Sequence, residues 1–413
     1  MPIGFIGVIL LSILNPDTSN SLRKLAIISS HPIQYNAPLF VLMAEKREFE
    51  LRIFYTWGED VVKPKFDPDF GKVIEWDIPL LKGYSYQFTK NVSKQPGSHH
   101  SRGIDNPDLI QDIESWGASV VWIWGWSFKS HLKVLRCFHG KIPVWFRGDS
   151  TLLDDSIGFS LKSVFRGMVL KWVYRHVDTA FFVGENNKQY FLKFGLKENQ
   201  LVHAPHVVDI ERFATWNDQD TLKLETWKTE LGMKPNDFVI LFAGKFEPKK
   251  NPNFIISLSK QLKSDRFKFV MVGNGVLESE INEAAKLDKR IIVLPFQNQS
   301  MMPMTYRLAD VFVLPSVGPG ETWGLAMNEA LACGIPVFGS NKCGGSIDLI
   351  DDSCGLIFEP YDLTSVVQRL NALCSDIDQL NKMKKNASKC AQEFHYSKVV
   401  EAVNQQMRNQ FHS

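Results

Sequence analysis

Two glutamates, Glu321 and Glu329, stand eight positions apart in the stretch SVGPGETWGLAMNEALACGIPVFGS, just behind a Pro-Gly turn. At about 100° and 1.5 Å per helical residue, that spacing puts the two carboxylates on different faces, about 12 Å apart. A paired general acid and base acting on one atom is thereby excluded. They are either unrelated surface charges on a helix, or two grips on different parts of one long ligand lying across the helix start. The spacing predicts a helix from about Trp323 to Cys333, ended by Gly334, with Pro336 opening the next strand. A helix start offers unbonded N–H groups and positive dipole, which suits a diphosphate. A carboxylate accepts two hydroxyl hydrogen bonds, as a ribose or sugar diol requires. Diol, diphosphate and sugar in sequence describe a nucleotide sugar.

Other stretches carry related chemistry. LFAGKFEPKKNP places Lys245, Lys249 and Lys250 straight after an apolar run, where cations meet a phosphate in the same crevice; solvated surface lysines are the alternative. The order Gly-x4-Gly-Lys-Ser/Thr of a Walker loop is absent there. MVGNG supplies Gly273 and Gly275 around Asn274, two of the three glycines of a dinucleotide fingerprint. It lacks the third, and the acid about 20 residues on, that a dehydrogenase needs. His31 and Asp149 follow apolar runs and are candidates for a polar contact to a sugar and for a base toward an acceptor hydroxyl. The alternatives are a structural histidine before Pro32 and a helix cap. Trp126 and Arg147 are acceptor-side candidates, the indole as a stacking face or as core. Asp67-Pro-Asp69 and Asp218-Gln-Asp220 fit the letters of a metal-binding Asp-x-Asp, but one falls in a Pro/Gly-rich loop and the other in a polar stretch. No metal and no cofactor is expected.

The elements that must hold these residues alternate. KLAIISS (24–30), ELRIFYT (50–56), SVVWIWG (119–125), IPVWFRG (142–148) and TAFFVG (179–184) are short, continuous apolar runs rich in β-branched and aromatic residues, as expected of strands buried on both faces. After a polar stretch, read as a linker near 210–237, the rhythm restarts at 238–246, 267–275, 290–296, 310–316, 335–340 and 355–360. An α/β fold of two Rossmann-like domains facing a central cleft follows. The expected divisions are a disordered leader at 1–23, an acceptor-side domain at 24–209, a nucleotide-sugar-binding domain at 210–390, and a final helix at 391–413 crossing back to the first. The apolar run Pro2 to Leu14 is too short to span a bilayer and lacks a basic flank.

Composition excludes more than it selects. With 413 residues and 44% hydrophobic side chains the chain buries more than one core, and 47 basic against 45 acidic residues leave no field for nucleic acid. Six cysteines without metal-ligand spacing read as reduced thiols of a cytoplasmic protein.

In order, GKFEPKKN, VGNG, ADVFVLPS, ETWGLAMNEALACGIPV and CGGSIDLI resemble the motifs of the GT-B glycosyltransferases, specifically the retaining, nucleotide-sugar-dependent family four, over roughly Val239 to Pro360. The resemblance implies transfer of a hexose from a nucleoside-diphosphate sugar to a sugar or lipid-linked hydroxyl, without a metal and with retention, in polysaccharide or glycolipid synthesis. It implies donor contacts from Lys245, Lys250, Gly273, Asn274, Phe296, Glu321, Thr322, Trp323, Gly324, Leu325 and Glu329. Of these, Glu329 would take the ribose and Glu321 the sugar, with Glu321, Lys245, Lys250, His31 and Asp149 as the catalytic set. Lys245 stands where the family has Arg, Asn251 where it has Gly, and Arg147 and Asp149 where many members have a His. APHVVDIERF is similar to the family's Pro-Asn-Gly-Val-Asp turn, with His206 and Val207 substituting. Partners would be the donor and a glycan or lipid-linked acceptor, no nucleic acid, and peripheral contact with the inner face of a membrane. The alternative is a catalytically impaired GT-B homologue that binds nucleotide sugar or glycan.

Overall fold

The structure is a computed structural model that describes residues 22–62, 65–67, 72–74, 77–155 and 161–411. Nearly all of the expected leader, and Asp69, lie outside the described residues. The first half contains β1 (Lys24–Ser29), β2 (Glu50–Tyr55), β3 (Lys65–Asp67), β4 (Lys72–Ile74), β5 (Tyr86–Phe88), β6 (Val120–Trp124), β7 (Val144–Arg147), β8 (Thr179–Phe182) and β9 (Leu201–His203). The second contains β10 (Phe238–Ala243), β11 (Phe267–Val272), β12 (Ile291–Leu294), β13 (Val311–Leu314), β14 (Val337–Ser340) and β15 (Gly355–Phe358).

The first sheet runs β5-β2-β1-β6-β7-β8-β9 and the second β12-β11-β10-β13-β14-β15, with every pairing in both parallel. A small antiparallel pair, β3 with β4, stands apart. All six residues of β10 are buried, because helices cover both faces, and this is why these strands read as unbroken apolar runs. Register fixes the layers: Ile27 faces Ile53 on one side and Trp122 on the other, and Leu241 faces Val270 and Phe312. In each sheet the chain builds outward from its first strand in one direction and then in the other, so the order reverses beside β1 and beside β10. Such a reversal leaves a crevice beyond the strands' carboxyl ends, where ligands of open α/β sheets sit.

The polar stretch 210–237 is not an extended linker. Asp209 and Asn217 accept from the backbone of Arg212 and Asp220 and so start two helices, Ile210–Ala214 and Asp218–Glu230. Phe213, Leu224 and Met233 then bury against the second core. The helix Tyr396–Phe411 lies against the first half, with Val399, Val400 and Val403 buried among Leu39, Phe40 and Met43. Tyr396 Oη donates to the Tyr35 carbonyl at 3.1 Å and Arg408 pairs with Glu48 at 2.7 Å.

Candidate active site

Between the two sheets lies a cleft of about 430 Å3, lined by residues that follow β1, β7, β10, β12 and β13. Strand β10 delivers Lys245, Lys249 and Lys250 to it. The turn Pro248–Lys250 closes on Asn251, which is left-handed at φ 52° and ψ 49°. Glycine adopts that conformation most readily and asparagine is among the few other residues that tolerate it, which accounts for Asn251 at a position where the resemblance expects Gly. Lys250 Nζ forms an ion pair with Glu321 Oε2, the same oxygen that accepts from Ser316 Oγ at 3.0 Å. Both partners are largely buried, so the pair is held as a unit at the mouth of β13. Lys249 faces Glu247 at 3.4 Å.

The helix after β13 spans Leu325–Ala332 and starts two residues later than its sequence suggests, because Gly324 takes φ 94°. A Cβ there would stand 2.8 Å from Met327 Cε and 3.0 Å from Leu314 Cδ2, so only glycine fits. The Trp323 indole is buried, with Nε1 donating to Asn328 Oδ1 at 2.7 Å. Thr322, Gly324 and Leu325 line the cleft, and the N–H groups of Leu325 and Ala326 precede the first hydrogen bond of the helix, Met327 N–H to the Gly324 carbonyl at 2.8 Å.

One turn further in, Glu329 is only 2% exposed. Its Oε2 accepts from Tyr306 Oη at 2.6 Å, while its Oε1 is buried and accepts nothing from the described residues. Burial pushes its pKa above the ordinary carboxylate value, against the pull of Tyr306, Arg212, Tyr35 and Gln299 around it. A buried carboxylate oxygen on the wall of a cleft can accept a hydrogen bond from a ligand hydroxyl.

On the first-half side, Asp149 Oδ2 accepts from Thr322 Oγ1 at 2.8 Å and stands 3.8 Å from His206 Nε2, so it bridges the halves. Burial would raise its pKa, but His206 and Thr322 hold it down at about 2. A carboxylate that acidic is a poor general base at neutral pH, and the geometry gives it an anchoring part instead. Burial lowers the His206 pKa, against the pull of Asp149. Nearby, Asp154 Oδ2 accepts from the Gly320 N–H at 2.7 Å, a second tie across the cleft.

Lys245, Lys250, Gly273, Phe296, Glu321, Thr322, Trp323, Gly324, Leu325, Glu329 and Asp149 are thus brought to one cavity. Four expected residues stand outside its lining. Arg147 is buried, donating to the carbonyls of Ala204 at 2.7 Å and Pro205 at 3.0 Å under Trp124; it fastens the chain that follows β9 rather than facing an acceptor. Trp126 packs on the first-half core. His31 accepts or donates to Ser30 Oγ at 2.9 Å, packs edge-on against Trp57 at 5.2 Å, and burial lowers its pKa to about 4. Asn274 is a loop brace: its Oδ1 accepts from the Phe296 N–H at 3.0 Å and its Nδ2 donates to Glu278 at 2.9 Å. Gly273 and Gly275 serve packing, since a Cβ would come 2.0 Å from the Gly244 carbonyl in one case and 2.6 Å from that of Phe246 in the other.

Sequence reading missed Tyr35, Gln299, Met302 and Tyr306 in the lining, and Arg212 behind it, donating to Gln299 Oε1 at 2.8 Å. Tyr35 had a signal, since SSHPIQYNAPLF follows β1 into the cleft. Tyr306 looks like any core aromatic until Glu329 stands beside it.

Residues 224–390 match the family described as Glycosyl transferases group 1. An Escherichia coli relative, UDP-Gal:alpha-D-GlcNAc-diphosphoundecaprenol alpha-1,3-galactosyltransferase, is 31% identical over 208 residues, 48% of this chain and 51% of that one. A Nocardia farcinica D-inositol 3-phosphate glycosyltransferase is 28% identical over 188 residues, 43% of this chain and 41% of its own. The chain spans about half the length of the curated relatives it matches. Among solved structures, Anabaena HepE in complex with UDP superposes with a TM-score of 0.70 over 94% of this chain and 100% of that one, at 15% identity. A sucrose-phosphate synthase from Thermosynechococcus elongatus gives 0.70 over 94% and 99%, at 17%. The two Rossmann-like halves are those of GT-B glycosyltransferase structures.

Proposed function

We propose that this chain is a glycosyltransferase that moves a hexose from a UDP-linked donor to a hydroxyl of a glycan or lipid-linked acceptor, with retention at the anomeric carbon and without a metal. One observation carries the reading. A buried carboxylate, a helix start and a Lys-Glu pair line one cleft, and along the chain from Glu329 back to Glu321 they follow the order of ribose, diphosphate and sugar in a nucleotide sugar. The choice of UDP is supported by the donor in the name of the E. coli relative and by the UDP held in HepE.

In this reading Glu329 Oε1 takes a ribose hydroxyl, and the first-turn N–H groups at Gly324 to Ala326 with Lys245 and Lys250 hold the diphosphate. As the bond from anomeric carbon to phosphate breaks, negative charge grows on the leaving diphosphate, where these fixed donors stabilise it without reorganising. Glu321, oriented by Lys250 and Ser316, accepts from sugar hydroxyls. Asp149 and Asp154 hold the first half against loop 318–322, which excludes water from the reacting centre.

The test is isothermal titration with UDP in EDTA, followed by NMR of UDP-hexose hydrolysis products. Binding in EDTA and slow release of the α-configured hexose from an α-linked donor are expected. No binding refutes the site, release of the β-hexose refutes retention, and binding without any hydrolysis favours the impaired homologue.

A further inference from the structure

At the end of the second sheet away from the cleft, three side chains that can ligate a metal stand together. Asp351, Cys354 and Cys390 bring a carboxylate oxygen and two sulfurs within 4.8 Å of one another, the one such group of three among the described residues. β15 begins at Gly355 and runs parallel to β14, so the loop 350–354 lies at the amino ends of the strands, opposite the carboxyl ends that open on the cleft. Cys354 is wholly buried there, Cys390 is half-buried on the helix Ile377–Gln392, and Asp351 is exposed.

The surrounding hydrogen bonds hold the three in place. The Asp351 carbonyl accepts from the Cys354 N–H at 3.1 Å and the Gly355 N–H at 2.9 Å, while Asp351 Oδ1 accepts from the Ser353 N–H at 2.8 Å. The Val337 N–H donates to the Cys354 carbonyl at 3.1 Å, which pins the loop to β14. Asn386, one turn before Cys390 on the same helix face, donates from Nδ2 to the Ser353 carbonyl at 3.3 Å and sets the helix against that loop. Cys354 Sγ approaches the Leu349 carbonyl at 3.7 Å, a weak contact that a metal bond would outweigh.

Ligand type selects the ion. Two thiolates and a carboxylate suit a thiophilic divalent cation such as zinc, and not magnesium or calcium, which take oxygen donors. Around a tetrahedral zinc, with Zn–S about 2.3 Å and Zn–O about 2.0 Å, the donor atoms lie about 3.5–3.8 Å apart. The three donors here reach that spacing by closing in about 1 Å, which side-chain rotation supplies. A disulfide would join the two sulfurs but give Asp351 no part.

We propose that Asp351, Cys354 and Cys390 bind one zinc ion, with water in the fourth position on the exposed side. Each thiol gives its proton to water as it binds, so one cation enters and two protons leave. The ion ties the loop before β15 to the helix Ile377–Gln392, which packs along Leu325–Ala332, the helix at the donor cleft. Its part is structural, and it leaves the metal-free transfer proposed above unchanged. Cys354 and Cys390 come from different elements, so no local cysteine spacing marks the site in the sequence.

The test is titration of the reduced full chain, stripped with EDTA and desalted, with Co2+ as a coloured stand-in for zinc. One cobalt per chain should raise a thiolate-to-cobalt charge-transfer band with the visible bands of tetrahedral cobalt, and zinc should bleach both. Cys354→Ala and Cys390→Ala should each abolish the charge-transfer band, Asp351→Asn should weaken cobalt binding about tenfold or more, and Cys374→Ala should change nothing. Because Cys354 belongs to the core, the half-buried Cys390 carries the decision: zinc should raise the melting temperature of wild type and not that of Cys390→Ala. Absence of the charge-transfer band, or a band that survives Cys390→Ala, overturns the proposal. So does a melting temperature that zinc raises equally in wild type and Cys390→Ala. Reduced protein that takes up no cobalt but forms a Cys354–Cys390 disulfide in air overturns it too, in favour of a redox pair. The site shares no residue with the donor cleft, so its failure leaves the donor reading standing, and UDP binding in EDTA tests that reading separately.

Discussion

Replacing Glu329 by Gln keeps the volume of the side chain and leaves Tyr306 Oη an acceptor, but removes the charge and one of the two acceptor oxygens. Hydrogen bonds to a charged acceptor are worth about 1.5–3 kcal/mol each. If Oε1, which accepts nothing from the described residues, takes a ribose hydroxyl, the loss is about 2–3 kcal/mol, or about 30- to 150-fold in Kd. The fold should not suffer. Burial raises the pKa of this carboxyl, so only between its unfolded and folded values does the folded chain hold a proton that the unfolded chain has released. Stability therefore falls as pH rises from the unfolded value through the raised folded one, and a Gln, which does not titrate, lacks that fall. At pH 7 the variant should melt no lower than wild type. Titration calorimetry with UDP and with 2′-deoxy-UDP isolates the hydroxyl: wild type should prefer UDP, and Glu329→Gln should bind the two nearly alike. UDP binding by the variant within threefold of wild type, or an undiminished preference for the ribose, would refute the reasoning.

Lys250→Ala leaves the Glu321 carboxylate buried without its cation, and should cost about 3 kcal/mol in thermal unfolding along with most of the turnover; adding Glu321→Ala should recover the stability but not the rate. Asp149, held at about 2, stabilises the fold above its unfolded pKa near 3.8, and that contribution is lost as pH falls toward 2. Asp149→Asn should therefore melt below wild type at pH 7, converge with it near pH 2, and keep the shape of the rate profile between pH 6 and 9. A shift in that profile would restore Asp149 as a base. Gly273→Ala drives a Cβ to 2.0 Å from the Gly244 carbonyl and should cost roughly 2–4 kcal/mol in denaturant unfolding; an unchanged midpoint would contradict the close approach.

The sequence made the strands of the second sheet legible because parallel strands covered on both faces have no polar side to interrupt them, as in β10 and β13. It hid β5 and β9, three residues each at the sheet edges, where too little chain is buried to leave a pattern. Glu321, Glu329 and Lys250 could be picked out because local motifs carry them. Tyr306, Arg212 and Gln299 come from different parts of the chain and meet only when the helices Ile210–Ala214, Met302–Arg307 and Leu325–Ala332 pack together. Arg147 shows the limit most plainly: a cation after a strand is an attractive ligand contact on paper, but which carbonyls it meets is decided by the 204–205 chain, far along the sequence. The helix start at Leu325 rather than Trp323 is a smaller case, because Gly324 takes a positive φ where Leu314 and Met327 crowd the place of a Cβ.

The helix Tyr396–Phe411 has a consequence for how the chain comes to be folded. Tyr396 and its partner Tyr35 are 361 residues apart, yet Val399, Val400 and Val403 complete the apolar layer over Leu39 and Phe40. Three buried valines at about 1.5–3 kcal/mol each amount to a large fraction of a domain's net stability. During synthesis the first half therefore emerges with an open seam and must wait, exposed to misassembly, until the last helix leaves the ribosome. A stop codon shortly before Tyr396 would spare every strand of both sheets and still deprive the first half of its closing layer, so a truncation at the far end should show itself as insolubility of the near one.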